Sequence, residues 1–259
     1  MRVIVDYHMH LRDPGERIVH TLEALERFVE TASARGVDEI GFSEHVYYFR
    51  QTRPVWTLEY QTERCVHDLD AYVDVILEAK RQGLPVKLGL EVDYVGPRQD
   101  ELAALLHPYP WDYLLGSVHW IDGLAVDQQP GLWADASVDE VWRRYFAALV
   151  ELASSGNVDV LAHPDLAKIF RLRPERIEYP ALEGVALEIS TAGLRKPVGE
   201  LYPAAEMLAG RPPITLASDA HVPTDVGRDL DRAVAHARAA GYETVTVFEG
   251  REAHQEPLG

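Results

Sequence analysis

Short motifs rich in histidine and acid recur along this chain: DYHMH with His8 and His10, FSEH with His45, GLEVD with Glu91, GSVH with His119, LAHPD with His163, and ASDAH with Asp219 and His221. Neutral imidazoles and carboxylates suit zinc, manganese or iron, whereas magnesium and calcium prefer an all-oxygen shell. Histidines two apart on an extended strand point to the same side, so His8 and His10 form a natural chelating pair. One strand-end histidine taken alone is as often a structural imidazole as a ligand. The set together reads differently, because six of seven expected strands end on a residue of ligand type. Eight such side chains exceed what one tetrahedral ion needs, so at least two metals are expected, with Glu91 or Asp219 as the bridging carboxylate. The only cysteine, Cys65, leaves no route to an intramolecular disulfide or a thiolate cage.

The elements that must position these residues alternate between short apolar runs and longer segments of helical period, the pattern of βαβ units. Strands are predicted at 3–6, 39–43, 86–90, 113–117, 158–161, 185–189 and 214–217, with a further strand at 244–248 that closes or flanks the rest. In TLEALERFVETASARG, Leu22, Leu25, Phe28, Val29 and Ala32 recur at three and four, and Gly36 supplies a stop. Segments 61–82, 138–155 and 228–240 read the same way. Seven strands suit a barrel, whose functional site lies at the carboxyl ends of the strands. The fold class expected is therefore α/β, a TIM-like barrel of seven strands carrying a metal site at that end. Two long connections, 46–59 and 121–137, are of the kind that serve as lids or binding loops. His20, His67, His107, His236 and His254 fall outside the strand ends and are expected to be solvated.

A length of 259 residues fits one domain spanning 1–259, and 47% hydrophobic with 26% charged residues is an ordinary globular balance. No apolar run is long enough for a membrane span, and MRVIVDYHMHLRD turns polar too soon for a secretion signal, which points to the cytoplasm. The net charge of −17 opposes binding of extended nucleic acid. A small anion is compatible with it, since bound metal ions would make the site locally positive. Oligomeric state is not legible.

The ordered set HMH, SEH, GLE, GSVHW, AHPDL and SDAH resembles the polymerase and histidinol phosphatase (PHP) superfamily, over most of the chain from Asp6 to about Glu249. The segment STAGLRKP is similar to that of its histidinol-phosphate phosphatases. The resemblance implies a distorted seven-stranded barrel and a site for two or three divalent ions, zinc, manganese or iron. Carried over, His8, His10, Glu91 and Asp219 would hold one ion, Glu91, His119 and His163 a second, and His45 with His221 a third. Relatives place another ligand five or six residues beyond the HxH pair, where this chain has Gly15 and Glu16. Asp13, Glu16 or His20 are the candidates to replace it.

The chemistry implied is attack by a metal-bridging hydroxide, held through Glu91 and Asp219, on a small phosphorylated substrate such as histidinol phosphate. Arg195 and Lys168 match positions that bind the substrate phosphate, and a planar guanidinium can grip two of its oxygens. Tyr47, Tyr48, Phe49, Arg50, Arg53 and Trp56, with Trp120, could wall in an imidazole ring or form the core of a lid. Glu16 or Asp165 could meet a protonated amine. Three functions follow from these residues: a histidinol-phosphate phosphatase, another hydrolase of the same site acting on nucleotides, phosphotyrosine or amides, or a non-catalytic metal-stabilised scaffold. The full ligand set argues against the last.

Overall fold

The computed structural model describes residues 2–15, 17–129, 131–134 and 136–259. Seven parallel strands form one sheet in sequence order: β1 Val5–Asp6, β2 Glu39–Phe42, β3 Val86–Asp93, β4 Tyr113–Ser117, β5 Val160–Leu161, β6 Ala186–Ser190 and β7 Ile214–Ala217. The register runs Val5 opposite Glu39, Ile40 opposite Val86, Gly89 opposite Tyr113, Leu115 opposite Val160, and Leu187 opposite Ile214. The ring closes where β7 meets β1: the Tyr7 amide donates to the Leu216 carbonyl (3.0 Å) and the His10 amide to Ala220 (2.7 Å). Asp6 reinforces this seam by accepting from the Ser218 amide (2.8 Å) and hydroxyl (2.6 Å). The expected barrel is thus present, seven-stranded and parallel.

The crossover helices obey local rules. Helix α1, Leu22–Ala34, starts at Thr21, whose hydroxyl accepts from the Ala24 amide, and stops at Gly36, which adopts a φ of +71° that favours glycine. It buries Ala24, Leu25, Phe28 and Ala32 against the sheet. Helix α2, Leu69–Arg81, is capped by Asp68 and α4, Val138–Ser154, by Ser137. A shorter α3, Gln99–Leu106, was not expected, and α5 spans Leu230–Ala239. The segment read as a helix from 61 begins at Leu69, with a separate single turn over Glu59–Thr62.

The end of the barrel away from the histidines is filled by aromatics. The ring of Tyr113 stacks on that of Tyr7 at 5.0 Å and its hydroxyl donates to the Tyr7 carbonyl at 2.7 Å. That ring fits because Gly41 and Gly89 lie beside it; a Cβ on either would approach it to 2.2 or 2.3 Å. Below them Phe248 contributes the third ring, 6.0 Å from Tyr113. Phe248 belongs to β8, Thr244–Glu249, which pairs antiparallel with β9, Glu252–Pro257. The extra strand therefore plugs the barrel floor as half of a hairpin.

Candidate metal centre and active site

The site is assembled where the strands stop. His8 and His10 follow β1, His45 follows β2, Glu91 lies in the upper half of β3, His119 follows β4, His163 follows β5, and Asp219 and His221 follow β7. Glu91 is fully buried at the centre. Its oxygens lie 2.6 Å from His45 Nδ1, 3.3 Å from His163 Nε2, 3.5 Å from His8 and His119 Nε2, and 3.8 Å from His10 Nε2. Asp219 makes a second focus, 3.5 Å from His10 and His221 and 3.8 Å from His8. His163 and Asp219 hold left-handed backbone, φ +29° and +53°, a conformation costly for residues with a Cβ and found mostly where function demands it.

A second layer of carboxylates orients the imidazoles. Glu188 on β6 accepts from His8 Nδ1 at 2.7 Å, Glu44 from His10 Nδ1 at 2.9 Å, and Asp93 from His119 Nδ1 at 2.8 Å. An ionised carboxylate can only accept, so each bond places a proton on Nδ1 and aims Nε2 at Glu91 or Asp219, where a bound cation would take the place of an Nε2 proton. These three acids were not among the expected site residues. Each carried a signal: Glu188 is an acid inside the apolar run ALEIS, Asp93 is two residues from Glu91 on the same side of GLEVD, and Glu44 adjoins His45.

The electrostatics match a site built for cations. Burial penalises the charge on Glu91 and Asp219, yet the surrounding histidines outweigh it and hold both carboxyls well below their usual range. Burial likewise opposes protonation of His119, but Glu91 and Asp93 push it up to about 10. His221 is held down to about 3 by burial and by His10. Among the described residues, His8 Nε2, His10 Nε2, His45 Nδ1 and both oxygens of Glu91 are buried without a hydrogen-bond partner. Such orphans are expensive unless something coordinates them. Ligand atoms of His8, Glu91 and His163 lie within 4.8 Å of one another, as do those of His8, His10 and Asp219, and of His10, His45 and His221. The donor set and its burial fit divalent metal ions.

The other expected residues are placed as follows. The Arg195 guanidinium, half-buried after β6, reaches the carbonyl of Ser218, next to Asp219. Lys168 is not at a solvent-facing phosphate position: it is fully buried, its ammonium 2.7 Å from Asp165 and 2.7 Å from the Leu201 carbonyl. Asp165 uses one oxygen for Lys168 and for the Ala204 amide at 2.8 Å, while its other oxygen has no hydrogen-bond partner among the described residues; fully buried, the carboxylate has no exposed face for a substrate amine. Asp13 closes its own turn with Arg17 and Gly15. His20 was expected to be solvated; instead it is half-buried against Phe49, His67 and Tyr72. Glu16 lies outside the described residues.

The segment 46–59 winds into 3₁₀ turns rather than an open loop, and buries Tyr47, Phe49 and Trp56. Tyr47 stacks on His45 at 4.9 Å, so it supports a metal-site imidazole directly. A cleft of about 580 Å³ runs beside the site between Trp56, Arg98, Trp120, Arg143 and Arg144. Its arginines are already paired with Glu101, Glu140 and Asp122, so it lacks free positive charge.

The sequence profile of the PHP domain matches residues 6–193. The chain belongs to the PHP domain family. Arg195, Asp219 and His221 lie beyond the matched span. Among curated relatives, the Deinococcus radiodurans protein named "Probable histidinol-phosphatase" is 29% identical over 95% of this chain and 97% of its own. The Bacillus subtilis histidinol-phosphatase is 27% identical over 79% of this chain and 90% of its own. Among solved structures, the Lactococcus lactis histidinol phosphate phosphatase, complexed with zinc, L-histidinol and phosphate, superposes with a TM-score of 0.72 at 20% identity, covering 98% of this chain and 100% of that one.

Proposed function

We propose that this PHP protein is a metal-dependent phosphomonoesterase that converts L-histidinol phosphate and water into L-histidinol and phosphate. The observation that carries this is Glu91, a buried carboxylate facing five histidines with its own oxygens unpartnered among the described residues. The relatives named histidinol-phosphatase support the choice of substrate. His8, His10, Glu91 and Asp219 would hold one ion, Glu91, His119 and His163 a second, with His45 and His221 toward a third; zinc, manganese and iron suit these donors. Bound there, such ions would supply an activated water for in-line attack and neutralise charge on the phosphoryl oxygens.

The chain's own residues supply position. Glu188, Glu44 and Asp93 fix the imidazoles before substrate arrives, so no reorganisation is needed as charge develops. Arg195 is the cation to grip phosphoryl oxygens beside Asp219. The net charge of −17 supports a small substrate over nucleic acid. No helix among the described residues is long and apolar enough to cross a membrane, in keeping with a cytoplasmic enzyme. The test is phosphate release from histidinol phosphate, nucleotides and phosphotyrosine with manganese, zinc or ferrous iron added. Preference for histidinol phosphate is expected; a higher kcat/KM on another ester overturns the substrate.

A further inference from the structure

With Asp165 tied to Lys168, the organic half of the substrate needs another acid, and the hairpin after β4 supplies one. Trp120–Ile121 pairs antiparallel with Leu124–Ala125, which turns the chain back toward the metal centre. The next residue, Val126, is pinned at both ends of its peptide unit. Its amide donates to the carbonyl of His119 at 2.8 Å, and its carbonyl accepts from the Trp133 indole at 2.8 Å. Asp127 is therefore delivered, by fixed backbone, to the flank of a metal-site histidine.

Asp127 is half-buried, and among the described residues no cation or donor engages its carboxylate. Arg144 pairs with Asp122, Arg143 with Glu140 and Lys168 with Asp165, so each of these cations is held by another acid. Across the site, Tyr202 is buried with its hydroxyl unpartnered among the described residues. That hydroxyl lies within electrostatic reach of Asp165, Asp219 and Asp127. Arg195 lies at the β6–β7 end, next to Ser218 and Asp219. The site thus has Arg195 at one end for phosphate and, near His119, an acid that no arginine or lysine engages among the described residues. A partly desolvated carboxylate beside a phosphate site repels the anion unless the same ligand brings a cation.

We propose that Asp127 selects the substrate by accepting hydrogen bonds from its ammonium group, so that the site takes zwitterionic phosphomonoesters over purely anionic ones. This rests on the histidinol-phosphate reading. A charge-assisted bond of this kind corresponds to roughly ten- to a hundredfold in affinity.

The test compares Asp127→Asn, Asp127→Glu and wild type on histidinol phosphate and on p-nitrophenyl phosphate, which lacks a cation, with metal content measured on each. Asp127→Asn should raise KM for histidinol phosphate about tenfold or more. It should weaken product inhibition by histidinol but not by inorganic phosphate, and leave kcat/KM on p-nitrophenyl phosphate equal or higher. Asp127→Glu should recover part of the loss. Equal losses on both esters, or no loss on histidinol phosphate, overturn the role of Asp127 while the functional reading stands. Wild type that hydrolyses p-nitrophenyl phosphate but not histidinol phosphate overturns both.

Discussion

His8 Nδ1 lies 2.7 Å from Glu188, 180 residues further along the chain, and the other oxygen of that carboxylate accepts from the His163 amide at 3.2 Å. One acid on the only one of the seven barrel strands without a proposed metal ligand therefore sets the orientation of His8 and the backbone of His163. Glu188→Gln keeps the shape but no longer forces the proton onto His8 Nδ1. Metal affinity or kcat should fall roughly ten- to a hundredfold. Metal titration of the stripped protein decides it; unchanged affinity with unchanged kcat would show that Glu188 only packs.

Glu91 is shared by two of the three proposed ions. Glu91→Ala should abolish phosphatase activity and lower bound metal by more than one equivalent, because a shared ligand serves two sites. Elemental analysis showing a full complement in that variant refutes the bridging role.

Arg195 touches no proposed ligand side chain, so its loss should spare the metals. Arg195→Ala is expected to lower kcat/KM by a factor on the order of a hundred, with metal content and fold intact. Arg195→Lys should restore only part, since an ammonium keeps charge but not the two-pronged grip. Wild-type kinetics in Arg195→Ala would return this residue to the surface.

Lys168 and Asp165 predict a stability effect where a phosphate-binding lysine predicts a kinetic one. Lys168→Ala leaves Asp165 buried and unpaired, costing about 3–5 kcal/mol. Denaturant unfolding should detect this. Full stability combined with a raised KM would favour direct phosphate binding instead.

His20 contributes a pH dependence of its own. Burial pulls its folded pKa down to about 4, from a reference of 6.5. The unfolded chain then binds the extra proton first, so the stability His20 contributes is present above pH 6.5 and lost as pH falls toward 4. His20→Phe removes that loss. Thermal midpoints of wild type and variant should diverge below pH 6 with wild type falling faster; parallel curves contradict a buried neutral His20.

The eight residues of the cluster were legible because each apolar run halts at a side chain that can bind metal, and a barrel collects strand ends at one face. Glu188 was harder to read, since a lone acid within ALEIS declares burial but not its partner. HPDLAK contains both members of the Lys168–Asp165 pair, yet only the packing around Leu201 and Ala204 reveals that the lysine points inward. Strand β9, EAHQEP, has no apolar alternation because it is almost entirely exposed and depends on β8 for its pairing. The aromatics of 46–59 fit either a substrate wall or a buried lid by type alone. Their burial, and the stacking of Tyr47 on His45, favour support of the metal site.

The seam between β1 and β7 ties residues near 8 to residues near 220, and both sides of it carry proposed ligands. During synthesis from the N-terminus, His8 and His10 emerge early, whereas Asp219 and His221 appear only after more than 200 further residues. A partial chain therefore offers a loose chelate instead of a finished cage. Metal captured by the closed ring would stabilise that state over the partial chelate, by mass action. Tight loading would thus act as a checkpoint on barrel completion, discriminating a finished molecule from a truncated one.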